Sequence, residues 1–103
     1  MEITTYKDIK LKNGQVIPKN TKGFAYPIKD QDFGCEFTYY TGKEAKDNTI
    51  ILRYSSLFQP PQAEELSEWV FDSVCDSITG ESVEPDGHDS EGFPSWLLAL
   101  GMI

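Results

Sequence analysis

Apolar and polar positions change rhythm twice along this chain. Ile9 and Leu11 alternate with Asp8, Lys10 and Lys12, the period of a half-buried strand. Asn13-Gly14 follows, a dipeptide suited to a two-residue hairpin because both turn positions take positive φ. Val16 and Ile17 open the return arm, and Pro18, with no N–H to donate, ends it. Thr21-Lys22-Gly23 leads into a strand in which Phe24, Tyr26 and Ile28 share one face; Pro27 makes that strand an edge or its end. After a turn over Asp30 to Gly34, Cys35, Phe37 and Tyr39 alternate with Glu36, Thr38 and Tyr40. Thr41 to Asn48 reads as a polar loop. Thr49 to Tyr54 then sets Ile50, Leu52 and Tyr54 inward and Ile51 and Arg53 outward.

Gln59-Pro60-Pro61 breaks that rhythm, and the apolar spacing becomes helical. A helix is predicted from about Gln62 to about Asp72, with Pro61 suited to its first position and Glu64 and Glu65 near the positive end of its dipole. Leu66, Trp69, Val70 and Val74 form its apolar stripe; Phe71 and Cys75 fall off it. Ile78 would extend the stripe to a stop at Gly80. A second reading instead starts a hairpin at Val74, turning at Thr79-Gly80-Glu81 and returning through Val83. The last stretch, Phe93 to Ile103, is almost wholly apolar and reads as a two-turn helix, with Pro94 near its start and Gly101 past its end. A helix so short needs packing to exist. It is expected to dock near Leu66, Trp69 and Val70 through Trp96, Leu97 and Leu100. Leu98, Met102 and Ile103 are then the residues available for a homodimer or partner surface.

Four or five short strands joined by tight turns predict a small closed or nearly closed barrel. The run IKLKNGQVIPKNTKGFAYPI, then CEFTYY and TIILRYSSL, resembles bacterial SH3-like barrels. The Val16-Ile17-Pro18 step, the Thr21-x-Gly23 turn and the last strand running into Ser55-Ser56-Leu57 carry the resemblance. It covers about half the chain and implies architecture only. Where the family has Gly after Pro-Lys this chain has Asn20, which tolerates left-handed geometry. The run from Ser77 onward, with Thr79-Gly80, Val83-Glu84-Pro85-Asp86-Gly87 and Pro94 to Gly101, resembles the ends of small phage and prophage proteins of unknown function. That resemblance implies no site residues. The expected fold is α+β in one domain, residues 1–103: an SH3-like antiparallel barrel over 5–58, then an acidic helical and turn extension over 59–103.

Charge sharpens this division. The 103 residues carry a formal charge of −8. Residues 1–58 hold all nine bases against seven acids, a net +2; residues 59–103 hold ten acids and no Lys or Arg, a net −10. Such a split creates a one-sided field. Net acidity argues against ordinary nucleic-acid binding, which sets cations against phosphates. No apolar run reaches the roughly 20 residues of a membrane span, and MEITTYKDIK lacks a signal peptide's apolar stretch, so a cytoplasmic protein is expected. Cys35 and Cys75 are far apart and read as free buried thiols.

Candidate chemistry is sparse. Glu84, Asp86, Asp89 and Glu91 gather around two glycines, but the spacing of a calcium loop is absent and Pro85-Asp86-Gly87 is a turn signature, so a solvated turn is expected. His88 is the one histidine and has no Ser, Cys or Asp at a telling spacing, so it reads as an exposed loop residue. Zinc would have to draw on Cys35, Cys75 and His88, one ligand short of a set. No phosphate loop or nucleophile elbow is present. The sequence therefore points to a non-enzymatic interaction protein without cofactor or metal, of the kind phages or mobile elements encode. Its expected partner is a host or phage protein with a basic surface, one that normally binds nucleic acid, engaged through Glu64, Glu65, Glu68, Asp72, Glu84, Asp86, Asp89 and Glu91. The alternative is a nucleic-acid-associated barrel using Lys7, Lys10, Lys12, Lys19 and Lys22, with the outward Tyr40 beside them.

Overall fold

The computed structural model describes residues 1–40 and 47–103, apart from the side chains of Tyr40 and Asp47. Residues 41–46 of the polar loop expected over Thr41 to Asn48, and the outward placement of Tyr40, thus lie outside the described residues, whereas Asp47 and Asn48 already pair as strand. In chain order the elements are β1 (Glu2–Thr4), β2 (Ile9–Lys10), β3 (Val16–Ile17), β4 (Lys22–Ile28), β5 (Gln31–Tyr40) and β6 (Asp47–Arg53). Then follow α1 (Tyr54–Leu57), α2 (Ala63–Phe71), β7 (Cys75–Asp76), β8 (Ser82–Val83) and α3 (Trp96–Ala99).

The architecture is α+β with antiparallel pairing. One four-stranded sheet runs in the order β1-β4-β5-β6, and two short ladders, β2-β3 and β7-β8, stand apart from it. Among the described residues no sheet closes into a barrel. The last strand, expected over Thr49 to Tyr54 and running into Ser55-Ser56-Leu57, ends at Arg53. Tyr54 to Leu57 turn into α1, so β6 stays an edge, and α1 and α3 pack on the sheet.

Strand β5 follows its alternation, burying Cys35, Phe37 and Tyr39. Strand β4 does not present the predicted face. Phe24 and Tyr26 are exposed, whereas Gly23 and Ala25 are buried. The cause is cross-strand: a Cβ at Gly23 would run into the Thr38 carbonyl and lie 2.7 Å from the Phe37 ring. The large ring on β5 therefore demands small neighbours on β4. Pro27 lies past the end of β1, which reaches only Phe24, so its missing N–H leaves no ladder gap. The hairpin over Asn13-Gly14 also differs. Gly14 N–H donates to Leu11 O at 3.1 Å, so the turn closes over Lys12 and Asn13 and leaves Gly14 as the left-handed residue, φ +87°. Asn20 takes left-handed geometry, φ +70°, as its side chain permits.

Helix α2 begins at Ala63, with Gln62 as N-cap, so Pro61 lies just outside it. It ends at Phe71, and the second reading of the downstream residues is the observed one: β7 and β8 pair through Cys75↔Val83. Because the chain leaves helical geometry at Asp72, Val74 is not on the stripe. Leu66 is buried and Trp69 half-buried, while Val70 and Val74 are exposed.

The terminal stretch docks. Trp96, Leu97 and Ala99 are buried in α3, a single turn rather than two, which packs against β5, α2 and β7. Ser95 caps it by accepting from Leu98 N–H at 3.1 Å. Tyr54, Phe58 and Phe93 form a three-ring cluster with centroids 6.1–6.3 Å apart. One hydrophobic core thus spans the Phe58–Gln59 junction.

Candidate functional site

The acidic half is where sequence and structure together place unusual chemistry. On α2 the inner face is taken by Leu66 and Trp69. At 100° per residue, Glu64, Glu68 and Phe71 then fall on the opposite face, and all three are exposed. Glu65 and Asp72 are exposed as well. Local physics does not favour this layout throughout. Glu64 and Glu65 suit the helix N-terminus, but Glu68 and Asp72 approach its negative end, and no basic residue occupies the last turn. Glu64–Glu68 and Glu68–Asp72 are also like-charge pairs at i,i+4 spacing.

None of the ten carboxylates after Phe58 meets a Lys or Arg among the described residues. Across the two halves His88 Nε2 and Asp32 Oδ1 stand at hydrogen-bond distance, 2.7 Å. Among the described residues, then, no Lys or Arg of the +2 half pairs with a carboxylate of the −10 half. Lys7, Lys10, Lys12, Lys19 and Lys22 are exposed, and Lys7 stands over the Tyr6 ring at 5.4 Å.

The turn region separates its four carboxylates. Glu84, Asp86 and Glu91 are exposed, and Gly87 N–H closes the Pro85-Asp86-Gly87 turn onto Glu84 O at 2.8 Å. Asp89 does not belong with them. It is 8% exposed and organises the loop from within. Its Oδ2 accepts from Ser77 Oγ at 2.8 Å and Thr79 Oγ1 at 2.6 Å; its Oδ1 accepts from the Glu91 and Phe93 N–H groups at 3.0 and 2.9 Å. Burial pushes the Asp89 carboxyl up, but these bonds outweigh it and hold the pKa below the ordinary carboxylate value. Asp89 is thus a structural anchor and is withdrawn from the partner surface that the sequence suggested.

No family model, curated protein or solved structure matches this chain. The site is therefore read from its own geometry.

His88 is exposed as expected, yet it has a partner the sequence could not reveal. Asp32 lies on β5, and the pair stands at a cleft of about 430 Å³ lined also by Pro27, Ile28, Lys29, Asp30 and Gly92. Cys35 and Cys75 are free and buried; burial pushes the Cys35 thiol up to about 12 and raises that of Cys75. Among the described residues no three His, Cys, Asp or Glu side chains are grouped as metal donors, and no helix is long and apolar enough to cross a membrane. At the C-terminus Leu98 is half-buried, and Met102 and Ile103 are exposed.

Proposed function

We propose that this chain is a non-enzymatic interaction protein acting in the cytoplasm. Its acidic half binds a basic surface on another protein, one that normally holds nucleic acid. The observation that carries this reading is the set of carboxylates after Phe58 left without Lys or Arg partners among the described residues. Glu64, Glu65, Glu68, Asp72, Glu84, Asp86 and Glu91 are the contact residues, all exposed. Carboxylates arrayed this way present negative charge as phosphates do, and complementary potentials steer association and fix partner choice. The resemblance of the run from Ser77 onward to phage and prophage proteins makes a phage or mobile-element origin part of the proposal. So is an SH3-like architecture for residues 5–58, which rests on sequence resemblance. Two copies could meet at Met102 and Ile103, with Leu98 behind them.

The test is capture of partners by the immobilised protein from extract of the native host. A captured protein should be released by added salt and by duplex DNA, and Glu64→Gln/Glu65→Gln/Glu68→Gln/Asp72→Asn should not retain it. Capture that survives salt, DNA and the fourfold substitution contradicts the proposal.

One observation favours a second reading. The five lysines between Lys7 and Lys22 are exposed on and around the β2-β3 hairpin, a compact basic feature of the kind that contacts phosphates. A gel-shift titration distinguishes the two: no shift at micromolar protein in low salt removes the nucleic-acid reading.

A further inference from the structure

Phe71 does not fit the rest of α2. It is 91% exposed, more than any other large apolar residue among those described. The helix already has its inner face in Leu66 and Trp69, so packing gives no reason for a phenylalanine on the opposite side. Its helical neighbours there are Glu64, seven residues back, and Glu68, three back; Asp72 follows it directly. Val70 and Val74, 42% and 52% exposed, flank it along the chain. An apolar ring held in water beside carboxylates costs hydration free energy, and no packing within this fold offsets that cost.

We propose that Phe71 is the anchor of the interface. It enters an apolar pocket on a folded partner protein whose rim carries Lys or Arg, and Glu64, Glu68 and Asp72 pair with that rim. This rests on the reading given above and adds the shape of the contact. Interfaces draw most of their affinity from a few buried aromatic or Arg residues surrounded by groups that exclude water. The charge around Phe71 selects the occupant. Phosphate backbones and anionic lipid surfaces are repelled by the carboxylates. A second copy of this chain meeting the same face would set acid against acid. A cationic rim around an apolar depression satisfies both parts of the patch.

The experiment replaces Phe71 with photoreactive p-benzoylphenylalanine in the full chain, with the same replacement at Ile51, 67% exposed, as control. After irradiation in host extract the cross-linked residue is mapped by mass spectrometry. The expected product is a cross-link from position 71, and not from 51, to an apolar residue bordered by Lys or Arg on a single protein. With that protein purified, Phe71→Ala should weaken binding about 30-fold or more while leaving the unfolding midpoint unchanged. A salt-sensitive complex whose affinity is unmoved by Phe71→Ala, and which gives no cross-link at 71, overturns the anchor while the acidic-surface reading stands. Cross-linking to nucleic acid, to lipid or to a second copy overturns the choice of occupant. Absence of any salt-sensitive complex removes the acidic-surface reading and this inference together.

Discussion

Across β4, β5 and β6 the backbone satisfies itself through ladders: the strands run for seven to ten residues, and their side chains have only to alternate. Between Cys75 and Ser95 the ladders shrink to two residues, and polar side chains take over. Asp89 collects four donors, Ser77 Oγ accepts from the Thr79 and Glu81 N–H groups at 3.2 Å, and Ser95 Oγ donates to Pro85 O. The first region stores its order in many equivalent bonds. The second stores it in three side chains and an apolar plug formed by Phe93, Trp96 and Leu97. A loop built this way can carry exposed acids at its bends, because its structure depends on few positions.

The comparison can be broken at several points. The largest effect is expected at the joint. Phe93→Ala removes the ring that meets Tyr54 and Phe58 and should cost about 3–5 kcal/mol, read by denaturant unfolding. Because one core holds both regions, the transition should stay single; a separate early transition for the acidic half would show that the regions are independent. Asp89→Ala should cost about 2–3 kcal/mol, since it leaves Ser77 and Thr79 hydroxyls and two N–H groups without their charged acceptor. The wild type should lose this contribution in acid. The folded Asp89 pKa lies below the unfolded value, so the contribution is complete above the ordinary carboxylate pKa and fades as pH falls through the folded one. Acid titration of the Asp89→Ala protein should therefore show a flatter stability profile below about pH 4.

In the regular half, Tyr54 carries a buried hydroxyl with no partner among the described residues. Tyr54→Phe removes that unsatisfied group and should raise stability by about 1 kcal/mol, measured by thermal unfolding. A loss instead would mean the hydroxyl is satisfied in solution. The smallest effect is expected on α2. Glu68→Gln with Asp72→Asn relieves charge at the negative helix end and should stabilise by a few tenths of a kcal/mol. The same pair should weaken partner capture, so stability and binding move in opposite directions.

How much of this could be read from residues alone depends on how far apart the deciding groups lie. The β5 alternation, the start of α2 and the docking of Trp96 are local patterns, and all three were legible; the end of α2 was left between Asp72 and Ile78. The face of β4 was not. Alternation offers two faces, hydrophobicity selects Phe24 and Tyr26, and only the Phe37 ring on the next strand explains why Gly23 and Ala25 turn inward. The expected barrel is an open sheet instead: β6 is an edge, and Tyr54, predicted to end the last strand, begins α1. Asp89 looked like its three acidic neighbours because its partners Ser77 and Thr79 lie twelve and ten residues away. Asp32 is 56 residues from His88, beyond any spacing rule. Phe71, by contrast, was visible as a residue off the helical stripe; its near-complete exposure gives that misfit its meaning.

The central claim is that the exposed carboxylates after Phe58, which meet no Lys or Arg among the described residues, carry the binding. Its most direct test is the affinity of the purified complex as ionic strength is raised, for the wild type and for the Glu64→Gln/Glu65→Gln/Glu68→Gln/Asp72→Asn protein. Steep weakening of the wild type with salt, and little or no binding by the neutralised protein at any salt, is the predicted result. An affinity indifferent to salt, or equal for the two proteins, would contradict it.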